Sequence, residues 1–211
     1  MNTPRRRQRL LWLLIGFCLI GLAGTAMAGE PQDKVKQTIT EVLAILQDES
    51  MKAPEQTEAR RAKIRQVVSQ RFGFEEMAKR SLGQHWRKLT PAQRQEFVPL
   101  FSDLLERSYI GKIESAVTEE APKILYIKET IDKDGFATVR TEVVNPRDLN
   151  FEIDYRLAKR DGNWEVYDII IEGVSLVNNY RTQFSKIVSQ ESYEGLVKKL
   201  KLKIEQEEAA K

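Results

Sequence analysis

Few side chains in this sequence are equipped for covalent chemistry. His85 is the single histidine of the 211 residues, and the single cysteine is Cys18, in the N-terminal apolar run. Cys-His nucleophiles and sites needing two histidines are therefore excluded, and disulfides cannot staple the remainder. His85, beside Trp86, has no acids at ligand spacing around it and reads as an ordinary, partly exposed histidine. Neither a metal nor a catalytic residue set is expected. Asp168 is the more informative acid. It lies between Tyr167 and Ile169 in the most apolar run of the chain, where a carboxylate must be ion-paired, hydrogen-bonded or protonated. Two roles are open to it. As a general base in an apolar pocket it would work with a tyrosine on an apolar substrate, and it would have to be reachable. As a structural acid it would be walled off by an arginine such as Arg181, or by a helix terminus, the commoner fate of such groups. No Walker-type or dinucleotide glycine loop is present, and neither Gly73 nor Gly83 sits in a strand-loop-helix phosphate motif.

The elements that position these residues are helical first. Val35, Ile39, Val42, Leu43 and Leu46 recur at helical spacing over Gln32 to Asp48. Pro54 opens a second, charge-rich stretch to Gln70 with few apolar anchors, expected to lie exposed. Phe74 to Leu82 reads as a short helix ended at Gly83, and Thr90-Pro91 supplies a cap and first-turn proline for the next. That helix carries Phe97, Leu100, Phe101, Leu104, Leu105 and Tyr109 on one wide apolar stripe, with Pro99 inside it predicting a bend or an early break.

After Pro122 the period falls to two. Strands are predicted over Lys123 to Ile131, Ala137 to Val143, Leu149 to Leu157 and Trp164 to Glu172, the last being the most buried. Asp134-Gly135 and Asp161-Gly162 mark tight turns, so the strands form an antiparallel meander that Gly173 ends. Helical spacing returns with Leu176, Val177, Tyr180, Phe184, Ile187 and Val188, and again from Tyr193 to Ile204, before a fraying polar end from Glu205 to Lys211. Helices, then strands, then helices give an α+β domain with one sheet face covered. The apolar stripes are compatible with a solid core, the usual state of protein interiors, or with a lined cavity.

The N-terminus reads as an export signal. Arg5, Arg6, Arg7 and Arg9 precede an apolar run from Leu10 to Leu22, and Ala26-Met27-Ala28 is a small-x-small cleavage site. Residues 1–28 are therefore expected to be removed, leaving one domain over residues 29–211 that works outside the cytoplasm. Cys18 lies mid-run and is not expected to be lipidated. Loss of the four arginines leaves 30 basic residues against 31 acidic, so the basic excess of the precursor is no nucleic-acid footprint. Lys198, Lys199, Lys201 and Lys203 form a short basic run answered by Glu205, Glu207 and Glu208, a solvated face.

Two blocks of wording are more specific. Phe72-Gly73-Phe74-Glu75-Glu76-Met77-Ala78, followed by the segment from Leu82-Gly83-Gln84-His85-Trp86 to Glu96-Phe97, resembles the MlaC family of toluene-tolerance and phospholipid-binding proteins. Trp164 to Phe184, with Tyr167-Asp168-Ile169 and Val177-Asn178-Asn179-Tyr180 inside it, resembles that family's sheet-to-helix signature. The resemblance covers essentially the whole chain after residue 28, and Pro99 is a departure within it. It implies a curved antiparallel four-stranded sheet wrapped by helices, a cone like that of nuclear transport factors, enclosing an apolar cavity. It also implies a monomeric periplasmic carrier whose only bound group is its phospholipid cargo. Such a carrier exchanges lipid between an outer-membrane lipoprotein complex and an inner-membrane ABC transporter complex, maintaining lipid asymmetry, without acting as an enzyme. On this reading the tail-contacting residues are Phe97, Phe101, Leu104 and Tyr109 on the long helix, Phe151, Ile153, Tyr155, Val166 and Ile170 on the sheet, and Val177, Tyr180 and Phe184 on the last helix. The rivals are a cone-fold enzyme using Asp168 and an extracytoplasmic adaptor that carries no lipid.

Overall fold

The computed structural model describes residues 29–117, 121–144 and 150–209. The expected export signal and Leu149 lie outside them. The element order is α1 (Glu30–Gln47), α2 (Thr57–Ser69), α3 (Phe74–Leu82), α4 (Pro91–Ala116), β1 (Lys123–Ile131), β2 (Phe136–Val144), β3 (Phe151–Arg160), β4 (Asn163–Ile171), β5 (Val174–Ser175) and α5 (Leu176–Ala209). Short 3-10 turns at Glu49–Met51, Pro54–Gln56 and Gly83–Lys88 join the early helices.

The helix starts follow their capping chemistry. At α1, the backbone N–H groups of Gly29 and Gln32 both donate to the Glu129 carboxylate of β1 at 2.7 Å, which pins the helix to the sheet. At α4, Gln93 N–H donates to Thr90 Oγ1 at 3.2 Å while Thr90 N–H donates to Gln93 Oε1 at 2.9 Å, a reciprocal capping box. Of the bend or early break expected at Pro99, the break does not occur: α4 runs through it to Ala116. Pro99 faces solvent, as does Gln95, whose carbonyl loses its helical donor and is free to bond water. The last helix divides as its sequence foretold, with Ser192 at φ 82° interrupting α5, but the polar end stays helical to Ala209.

The sheet is antiparallel in the order β1-β2-β3-β4-β5, five strands where four were expected. Gly173 turns the sheet back instead of ending it. Glu172 and Gly173 have φ of 48° and 78°, the geometry of a two-residue hairpin turn, and return the chain so that Ile171 pairs with Val174. Asp161 and Gly162 make the same turn between Arg160 and Asn163. The open side of β4 is covered at Val166 too, where Gly73 N–H donates to its carbonyl and its N–H donates to the Arg71 carbonyl. The most buried strand is β2, not β4. Ala137, Val139, Thr141 and Val143 of β2 are all buried, against three such residues of β4, because α1 lies across the middle of the sheet.

Apolar packing falls into three clusters. The largest joins α3, α4 and α5 around Phe97, Phe101 and Phe184. The second joins Val35 of α1 to Val139, Leu157, Trp164 and Val166 of the sheet, and the third joins Leu46 of α1, Ile64 of α2 and Ile110 of α4. As expected, α2 is largely exposed, with Ile64 its one buried residue. Its arginines tie it to α4: Arg60 and Arg61 share the Glu114 carboxylate at 2.9 and 2.7 Å.

Candidate functional site

Asp168 is a structural acid. It is buried, accepts from Ser175 Oγ at 2.7 Å and from the Val177 N–H at 3.0 Å, and lies 3.6 Å from Arg156 Nη1 on the neighbouring strand. Ser175 Oγ in turn accepts from the Asn178 N–H, so the acid and its serine together cap α5 where it leaves the sheet. The expected partner Arg181 is elsewhere, donating to the Arg80 carbonyl at 2.8 Å. Arg156 takes its place because the register of β3 and β4 sets the two residues opposite each other. His85 is partly buried, with Nε2 3.3 Å from Ser185 Oγ. Glu76 is a second buried acid, bonded by Arg80 at 2.7 Å and by Arg160, and it fastens α3 to the β3-β4 hairpin. Among the described residues no three of His, Cys, Asp and Glu are grouped to hold a metal.

The twelve apolar candidates separate into three kinds of environment. Phe97, Phe101, Leu104, Val177, Tyr180 and Phe184 are buried together in the helical cluster. Their rings are in mutual contact: Phe101 lies 5.9 Å from Phe97, 5.5 Å from Tyr180 and 5.9 Å from Phe184, the last two edge-to-face. In this conformation they form a packed core. Tyr109 is half-buried at its margin, while Val166 is buried and Tyr155 half-buried in the sheet cluster. Phe151, Ile153 and Ile170 are half-buried and belong to none of the three clusters.

A bulge decides which sheet residues share a face. Arg156 pairs with Asp168 but Leu157 pairs with Val166, so Tyr167 is an extra residue in β4. The face that carries Val166 therefore continues through Ile169, opposite Tyr155, and Ile171, opposite Ile153. Ile170 pairs with Asp154 and Ser175, on the other face with Asp168. A second bulge at Ile127 aligns Ile124 with Val143 and Tyr126 with Thr141 on the Val166 side. Ile124, Tyr126, Ile169 and Ile171 thus join this face, although sequence alternation did not assign them.

The clusters close a ring. Phe97 to Leu105 and Ile110 place α4 in the first and third clusters, and Val35 and Leu46 place α1 in the second and third. Phe72 packs against both the first and the second. Half-buried Tyr109, Tyr126 and Tyr155 stand at the margins of these packed regions. Burial pushes the Tyr155 hydroxyl far above the ordinary tyrosine range, with nearby Tyr126 adding to the effect. Burial likewise raises Tyr126 and Tyr109, the latter also through Tyr180. Two surface hollows touch none of the twelve. One, of about 570 Å³, lies between Gln93, Tyr193 and Lys198; the other, of about 420 Å³, lies between Arg80, Phe136 and Tyr167.

Known proteins resemble the chain over most of its length. A structure of a phospholipid-binding protein from Ralstonia solanacearum, solved in complex with a phospholipid, matches with a TM-score of 0.72 and 28% identity, over 84% of this chain and 98% of that one. The toluene tolerance protein Ttg2D of Pseudomonas putida is 25% identical over 85% of this chain and 80% of its own. The intermembrane phospholipid transport system binding protein MlaC of Haemophilus influenzae is 20% identical over 81% of this chain and 80% of its own. The model of the MlaC protein family matches residues 36–202, and the chain belongs to that family.

Proposed function

We propose that this protein is a phospholipid carrier that holds acyl tails between the inner sheet face and the ring of helices. It works in the periplasm as a single domain after cleavage at Ala28, and it exchanges lipid with an inner-membrane ABC transporter complex and an outer-membrane lipoprotein complex. The observation that carries this reading is the upper part of the inner sheet face. Ile124, Phe151, Ile153 and Ile171 are apolar and only half-buried, on the same sheet face where Val35 of α1 packs against Val139, Leu157 and Val166. Apolar surface left half-covered inside a ring of packed clusters is suited to an apolar guest. The Ralstonia relative, with the same architecture along nearly its whole length, binds a phospholipid, which supports the same cargo here.

The energetics require such a site. Two tails of roughly thirty methylenes, at about 0.8 kcal/mol each, would cost on the order of 24 kcal/mol to pass through water uncovered. No bond need be made or broken, and Asp168, the acid that an enzymatic reading would employ, is enclosed by Ser175, Val177 and Arg156. The test is uptake of a fluorescent phospholipid from vesicles by lipid-stripped protein. Ile153→Glu sets a charge opposite Ile171 and Thr141 and is expected to abolish uptake by a protein that stays folded. Undiminished uptake by the folded variant would remove the sheet face from the site.

A further inference from the structure

Tyrosines in this fold are treated unequally. Tyr193 is buried and its hydroxyl donates to the Gln93 carbonyl at 2.8 Å. The hydroxyls of Tyr155 and Tyr126, unlike their backbone groups in the sheet, make no hydrogen bond to any described residue. Their hydroxyls are not sealed off either, since the fully enclosed side-chain atoms without a partner are Arg94 Nε and Ser108 Oγ. Each hydroxyl therefore borders space that at least a water molecule can reach. The side chains around Tyr155 on its face offer nothing polar: its cross-strand neighbours are Val139 and Ile169, and Ile153 and Leu157 flank it along β3. Phenylalanine would fill such a place as well if only hydrocarbon were to be met there. A hydroxyl held in protein without an acceptor is costly, so this position calls for one.

Resting on the carrier reading above, we propose that Tyr155, with Tyr126 beside it, donates a hydrogen bond to an ester carbonyl of a diacyl lipid, fixing the depth of the lipid and selecting for ester linkage. The acceptor must be neutral, because the neighbours of Tyr155 on its face include no cation to balance a phosphate. The ester carbonyls are the neutral acceptors at the junction of tails and headgroup, and a diacyl lipid carries one for each tail. Tyr126 lies two strands from Tyr155 on the same face, opposite Thr141, whose own hydroxyl is already committed to the Ile153 carbonyl at 3.0 Å. Burial keeps both phenols protonated, hence donors, throughout the physiological range.

The experiment offers lipid-stripped protein vesicles holding equal amounts of diester and diether phosphatidylethanolamine with matched chains, and bound lipid is counted by mass spectrometry. The wild-type protein is expected to enrich the diester lipid roughly fivefold, the worth of one hydrogen bond. Tyr155→Phe, which keeps the ring, is expected to lose the enrichment. If Tyr155→Phe does not fold, Tyr126→Phe carries the test, with the enrichment falling roughly twofold. Equal uptake of both lipids by the wild-type protein, or enrichment that survives in both variants, would overturn the proposal and leave the carrier reading intact. Uptake of neither lipid would instead overturn the carrier reading.

Discussion

Phe101→Ala asks whether the aromatic cluster is core or cavity wall. The Phe101 side chain is wholly buried, with Phe97, Tyr180 and Phe184 all within 6 Å between ring centres. Deleting a ring from a packed site costs about 3–5 kcal/mol in lost transfer energy and residual cavity. The three aromatic pairs, at about 0.5–1.5 kcal/mol each, account for part of that sum. In a domain of this size each kcal/mol lowers the melting temperature by about 2–4 °C, so a fall of about 6–20 °C is expected. Calorimetry on the purified protein reads it directly. Lipid content per folded molecule should not change, because the ring is already packed against Phe97, Tyr180 and Phe184. A fall below about 3 °C with loss of bound lipid would refute this reasoning. Phe101 would then line open space, as the resemblance alone implied.

Asp168→Ala should cost about 3 kcal/mol in urea unfolding, since it strands Arg156, Ser175 and the first N–H groups of α5 together; a loss below about 1 kcal/mol would contradict the capping role. Glu114 sets a pH dependence. Burial pushes its carboxyl up, but hydrogen bonds from Arg61 and Arg60 outweigh this and hold it below its ordinary value. A depressed folded value means that the contribution is present above the ordinary carboxylate range and is lost as pH falls through the folded value. Wild-type stability should therefore decline below about pH 4.3, and Glu114→Gln should be less stable at neutrality and less steep in acid. Unfolding curves that remain parallel between variant and wild type across that window would show that the arginine pair does not hold α2.

Much of the fold was legible because its signals are local. Thr90-Pro91 gave the start of α4, and the Asp161-Gly162 turn gave the β3-β4 hairpin. What escaped was set by backbone geometry that residue types do not announce. Gly173 was read as a terminator because a two-residue fifth strand has too few residues to show alternation. Pro99 was read as a bend or an early break, and the break is absent because its cost falls on a carbonyl whose exposure depends on tertiary packing. The inner sheet face was legible up to its bulges. Strict alternation from Val166 leads to Ile170, whereas the extra residue at Tyr167 shifts the face to Ile169 and Ile171. Arg156 was not foreseen as the neighbour of Asp168 because register, and not proximity in sequence, brings them together.

Whether this protein carries phospholipid is decided by mass spectrometry of lipids extracted from the protein purified out of cells, beside an equally treated control protein. Phospholipid is expected in stoichiometric amount with this protein and in background amounts with the control. A protein that emerges lipid-free, and that takes up none from vesicles, would contradict the carrier reading.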